Sequence, residues 1–238
     1  MREKNHLTVH HSEAGYNLVE LAIVLVVIGL IAGGTMKGLE LIENAKVKAI
    51  STQINDYRLA ATLFMDRYGA LPGDYDQASK AIHADLRDGN NSGFLEGDGL
   101  DYAASGTAHK AASFWQHLAA AKMIQDPGHP ENQRMTFGKG APTTKIGGGI
   151  TIENNPKSCP ECEGLWFIVG KENGVSGTKP LLTPKQARLL NQTLDNGDPK
   201  TGSVRSVEGA GVAIGKCIQN GHYNTSVNSA TCLVMVQF

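Results

Sequence analysis

Neither charge sign dominates this 238-residue chain: 22 Lys and Arg stand against 23 Asp and Glu, for a net charge of −1. Without a basic surface to meet phosphates, nucleic acid is not an evident partner. Catalytic signatures are missing as well. There is no Gly-x-Ser-x-Gly elbow, no phosphate loop, no His-Glu-x-x-His, and no Ser, His and acid grouping that spacing singles out, so nothing asks for a substrate and the chain reads as a non-enzyme. His109, His117 and His129 lack metal spacing and read as ordinary core or surface histidines. Cysteine is absent before Cys159, so all four lie in the last third of the chain. Only 41% of residues are hydrophobic, against 28 Gly and many Asn-Gly, Asp-Gly and Gly-Gly pairs; this composition favours turns and short strands over long helices.

One segment departs from that composition. Leu18 to Thr35 is eighteen residues long with Glu20 as its only ionisable side chain. As a helix it would cover roughly 27 Å, close to a bilayer's hydrocarbon core. A carboxylate at the centre of such a span costs on the order of 3 kcal/mol, and less near an interface, so Glu20 calls for a partner. A secretory signal peptide, cut near Ile31-Ala32-Gly33-Gly34, or a plain single-span anchor would also contain an apolar run. Neither needs Glu20, and neither explains why the helical pattern continues beyond the run.

The stretch Gly15-Tyr16-Asn17-Leu18-Val19-Glu20, opening onto this apolar helix, resembles the type IV pilin superfamily. Precursors there carry a short leader ending in Gly, then a hydrophobic residue, then a Glu at the fifth mature position. The resemblance implies that a prepilin peptidase cuts between Gly15 and Tyr16 and methylates the new amine. It also implies that the apolar helices of homologous subunits pack into a filament core, with Glu20 neutralising a neighbour's N-terminal amine. Implied partners are other pilin subunits, the peptidase, an inner-membrane assembly platform and membrane lipid. The implied location is the bacterial inner membrane, single-pass with a periplasmic globular domain, and then a periplasmic or extracellular filament. Orientation rests on the resemblance, because Arg2 and Lys4 do not outnumber Lys37, Lys46 and Lys48. The Pro that many pilins place about twenty residues into the mature helix is missing. Gly29, Gly33 and Gly34 are the expected weak points instead. The reading divides the chain into a leader (1–15), a transmembrane and assembly half-helix (16–36) and a soluble pilin-like domain (37–238). From another functional class, the alternative is a membrane-anchored periplasmic binding or adhesion module with a pilin-like anchor.

Leu39, Ile42, Ile50, Ile54, Tyr57, Ala61, Phe64 and Tyr68 recur at helical spacing, which predicts a helix from about Tyr16 to Tyr68, stopped by Gly69 and Leu71-Pro72-Gly73. Short helices are expected at Asp76–Leu86, Ala111–Met123 and Pro184–Leu194, the last with Thr183 as N-cap. Strands are expected at Lys145–Glu153, Leu165–Gly170, Val212–Ile218 and Thr231–Phe238. The expected fold class is α+β, with an antiparallel sheet on the soluble half of the long helix. Leu71-Pro72-Gly73-Asp74-Tyr75, Phe114-Trp115-Gln116-His117-Leu118 and Leu194-Asp195-Asn196-Gly197-Asp198-Pro199 resemble phrases of some proteobacterial pilin-like proteins. Asp195 to Asp198 itself reads as a turn.

Cys159, Cys162, Cys217 and Cys232 are even in number, which in an exported domain favours disulfides over a zinc site or redox pair, with three connectivities open. The pilin resemblance implies Cys159 with Cys162 and Cys217 with Cys232, the second closing a C-terminal loop. A second constellation alternates oxygen donors: Asp88, Asn90 and Ser92 at the first, third and fifth places, the Phe94 carbonyl, and Glu96 at the ninth. Gly99 stands at the twelfth place, where a bidentate Glu is expected, so Asp98 and Asp101 would have to close the shell. Major pseudopilins bind calcium in a comparable loop, which makes calcium the one cofactor expected here. The other reading, a solvated acidic turn, stays open.

Overall fold

The computed structural model describes residues 17 to 130 and 134 to 238. Leu18–Tyr68 is a continuous helix, α1, that passes through Gly29, Gly33 and Gly34 without a break. Then follow α2 (Ala78–Ala81), α3 (Lys110–Ala120), β1 (Thr136–Phe137), β2 (Gly140–Ala141), β3 (Gly149–Asn154), β4 (Leu165–Asn173), β5 (Ser176–Lys179), α4 (Pro184–Leu194), β6 (Val204–Glu208), β7 (Ile218–Gln219), β8 (His222–Tyr223) and β9 (Cys232–Gln237). The chain divides into two compact units, one ending at Glu43 and one running from Asn44 to Phe238, and α1 contributes to both. The fold is α+β, with a long N-terminal helix followed by an antiparallel-sheet domain with short helices, a pilin-like layout.

Within the second unit, the helical stripe begins at Val47 and continues through Ile50, Ile54, Tyr57, Ala61 and Phe64, all buried. Leu39 and Ile42, which the periodicity put on the same stripe, are exposed. The stripe packs with Phe114, Trp115 and Leu118 of α3 and with Phe167, Val169, Val234 and Val236 of the sheet in one core. Lys110 to Ala119 are all buried, which accounts for the run of Ala and Ser in α3: small side chains let a helix be covered on every side.

Antiparallel pairing sets the main sheet in the order β3-β4-β9-β6, with β5 alongside β4. Side chains on a strand alternate between faces, and both faces of β9 and of β4 from Trp166 to Val169 are covered, so these stretches read as apolar runs. Phe167 and Val169 with Val234 and Val236 face the main core. Trp166 and Ile168 with Leu233 and Met235 form a second cluster with Cys159 and Cys162.

Three expected elements differ. Asp76–Leu86 holds only the single turn α2, because the chain bends at Ile82 and returns so that Asp88 meets Ser79. Lys145–Glu153 is strand only from Gly149, since Gly147 and Gly148 adopt positive φ in the preceding turn. Val212–Ile218 is a series of turns, broken by Gly211 and Gly215 at φ 82° and 87°, with only Ile218 entering β7. By contrast α4 matches the sequence at both ends. Thr183 Oγ1 accepts from the Gln186 N–H, the Gln186 side chain accepts from the Thr183 N–H, and Pro184 holds the first helical position.

Candidate functional site

Gly15 and Tyr16, the expected processing junction, lie outside the described residues. Immediately after them Asn17 caps α1. Its Oδ1 accepts from the Val19 N–H at 3.4 Å, and Glu20 Oε2 reaches back to accept from the Asn17 N–H at 3.1 Å. This reciprocal pair satisfies two N–H groups that a helix start leaves without partners, and it puts a negative charge where the helix dipole favours one. Glu20 thus has a local partner that the sequence reading did not anticipate, although Asn-x-x-Glu ahead of an apolar run is a capping signature. Every described residue from Asn17 to Thr35 is exposed, including Leu18, Ile23, Leu25, Ile28 and Leu30. Among the described residues one helix, near the N-terminus, is long and apolar enough to span a membrane.

In the second unit, the loop from Asp88 to Gly99 folds onto Asp74 and the first turn of α3. Its oxygen donors do not converge as the sequence spacing suggested. Asp88 turns to Ser79, accepting from its N–H at 2.7 Å and its hydroxyl at 2.8 Å. Burial works against that carboxylate's charge, but the two Ser79 hydrogen bonds together with nearby charge, Lys80 included, hold the group below the usual carboxylate range. Asp98 lies 3.4 Å from Lys157 Nζ, and the Asp101 N–H bonds to the Asp98 carbonyl. The Phe94 carbonyl accepts a long 3.5 Å bond from Ser92 Oγ. Among the described residues, no three His, Cys, Asp or Glu side chains cluster as a metal site.

Asn90, Ser92 and Glu96 do come together, with Asp74 as a fourth member, and at their centre is the Lys110 ammonium. Nζ lies 2.8 Å from Asp74 Oδ1, 2.6 Å from Asn90 Oδ1 and 2.7 Å from Ser92 Oγ, and it is ion-paired with Glu96 Oε2. Sequence alone does not mark Lys110, and it marks Asp74 only as part of the phrase Leu71 to Tyr75. The available signal was a lysine followed directly by Ala111-Ala112-Ser113 on a helix with little solvent-facing surface.

Behind this cluster, His117 Nδ1 accepts from the Gly73 N–H at 2.9 Å, so the ring proton is on Nε2, which donates to the Arg87 carbonyl at 2.9 Å. Burial drives its pKa down to about 4, and His109, beside Ser113, is lowered to about 4 for the same reason. His109 and His117 are core histidines, and His129 is exposed. The phrases around Gly73-Asp74 and His117 therefore meet in space. The third phrase is a knot of its own: Asp195 Oδ2 accepts from the Ser203 and Val204 N–H groups, fixing the start of β6. On β3, Glu153 is almost fully buried and accepts from the Gly99 N–H; burial raises its pKa to about 7.

All four cysteines are paired, Cys159 with Cys162 and Cys217 with Cys232, which leaves no thiolates for zinc. Both bonds are buried, the first against Trp166 and the second beside β9.

The chain matches no known family model, no characterised protein and no solved structure. Its class therefore rests on its own features, a membrane-length N-terminal helix and a disulfide-bonded α+β domain of pilin-like layout.

Proposed function

We propose that this chain is a structural subunit of a type IV filament, a pilin or pseudopilin, processed after Gly15 and assembled through its N-terminal helix. One observation carries the reading: an apolar helix start, exposed on all sides from Asn17 to Thr35, directly follows Gly15-Tyr16 and carries Glu20 in its first turn. At roughly 25 cal/mol per Å² of apolar surface, that segment needs lipid or other helices around it, and a filament core supplies the second after the membrane has supplied the first. Assembly is the mechanism, with no bond made or broken by the subunit itself.

The test is intact-mass analysis of the full chain from cells with and without an active prepilin peptidase. A mature chain starting at Tyr16 with a methylated amine is expected. A start near Thr35, or a leader retained beside active peptidase, rules the proposal out.

The second reading, a membrane-anchored binding module, draws support from a groove of about 980 Å³ in the second unit, lined by Gln53, Asp56, Tyr57, Asp126, Thr143 and Lys145 among others. Retention of the leader would favour it.

A further inference from the structure

Lys110 opens α3 with its side chain 0% exposed, an unusual place for an ammonium unless its charge is matched on the spot. The matching groups come from two parts of the chain. Asp74, itself 1% exposed, approaches from the turn after α1. Asn90, Ser92 and Glu96 come from the loop, at alternating positions except for the last step. Nζ therefore sits among four oxygens, two of them carboxylate and two neutral, the hard-donor mixture that a divalent cation such as calcium also selects.

Backbone geometry holds the loop around that point. Asp74 Oδ2 accepts from the Gly93 N–H at 2.7 Å, the Asp74 carbonyl from the Asn91 N–H at 2.9 Å, and the Glu96 carbonyl from the Ala111 N–H at 3.2 Å. Asn91 and Gly93 take positive φ, 52° and 79°, and so turn the Asn90 and Ser92 side chains to the same side. Gly97, at φ 96°, passes so close to the turn before α3 that a Cβ there would overlap the Ala108 carbonyl oxygen.

We propose that the Lys110 ammonium is this loop's own cation: a divalent-cation site that the chain keeps filled with one of its side chains, so that the domain is ordered without calcium. Calcium would sit about 2.3–2.6 Å from the same oxygens and would overlap Nζ, so ion and lysine exclude each other. Two carboxylates against one ammonium leave a net negative charge at the centre. A chain from which only the ammonium is removed, with space left behind, should therefore recover a cation from solution. The inference is independent of the filament reading, since it concerns only the second unit's internal charge.

The test uses the full chain in detergent, melted in calcium chloride and in chelator at equal ionic strength, with calorimetry alongside. For the parent, equal melting temperatures and no binding heat are expected up to millimolar calcium. Lys110→Ala should melt several degrees lower in chelator and regain much of the loss in calcium, with one equivalent bound. Lys110→Met, which fills the space without a charge, should be low in both. Asp74→Asn in the Lys110→Ala background should abolish the calcium gain. A parent that binds calcium or is stabilised by it overturns the proposal. So does a Lys110→Ala chain that calcium fails to stabilise, including one that stays unfolded in both media.

Discussion

The Glu20 carboxylate accepts a hydrogen bond from the backbone N–H of Asn17, three residues earlier, at 3.1 Å. A cap of this kind contributes about 1 kcal/mol to a helix. A buried charge that pairs with another subunit's amine is worth several times more when its partner is lost. The two roles separate on substitution. Glu20→Gln retains an oxygen able to cap Asn17 but has no charge, and Glu20→Ala loses both. If Glu20 pairs with a neighbour's amine, both variants insert in the membrane but assemble poorly, and filament yield falls at least tenfold. Normal assembly of Glu20→Gln would restrict the residue to its helix cap.

The pH dependence of the second unit has two opposed sources. Glu153 titrates near 4.5 when unfolded and at about 7 when folded, so its contribution is fully present below pH 4.5 and lost as pH rises through about 7. His117 and His109 fall from 6.5 to about 4 on folding, so theirs is present above pH 6.5 and lost as pH falls toward 4. Two histidines against one glutamate place the stability maximum near pH 6.5. Glu153→Gln keeps the acceptor for the Gly99 N–H and has no proton to lose. It should gain up to about 3 kcal/mol over the parent at pH 8 and little at pH 5. Urea unfolding at pH 5, 6.5 and 8 checks this, and parallel profiles for the two chains would contradict it.

His117→Phe keeps a ring but removes partners from the buried Gly73 N–H and the partly buried Arg87 carbonyl. Leaving two such groups unsatisfied costs about 2–5 kcal/mol. The loss should appear in thermal melts and in faster amide exchange at Gly73. Unchanged exchange there would mean the hydrogen bond does not hold the turn.

The disulfides should differ in worth. Cys217 and Cys232 are fifteen residues apart, and Cys159 and Cys162 only three. By chain entropy the longer loop contributes about 3 kcal/mol, and the shorter one less. Paired Cys→Ser substitutions, followed by guanidinium melts, should show the larger drop for the 217–232 pair.

Elements set by neighbouring residues were legible in the sequence. Thr183, Pro184 and Gln186 spell a helix start by themselves, and the apolar runs of β4 and β9 needed no partner to be seen. The Val212–Ile218 strand failed because isolated apolar residues between Gly211 and Gly215 have no ladder to join. β6 was missed because Val204 and Val207 face different sides of a five-residue strand and give no apolar run. Lys110 was out of reach for another reason: its hydrogen-bond partners are 18, 20 and 36 residues away, and no local pattern records which loop closes over a buried charge.

Among the described strands β9 comes last in the chain, yet it lies between β4 and β6. Until residues 232 to 237 arrive, β6 has no strand to pair with in the main sheet, and β4 has its β9 side open. An emerging chain therefore presents the open edge of β4, beside the apolar run Trp166 to Val169, for as long as roughly seventy further residues take to follow. During that interval an unpaired apolar edge is open to a second incomplete copy of the chain, so pairing edge to edge competes with completion of the native sheet.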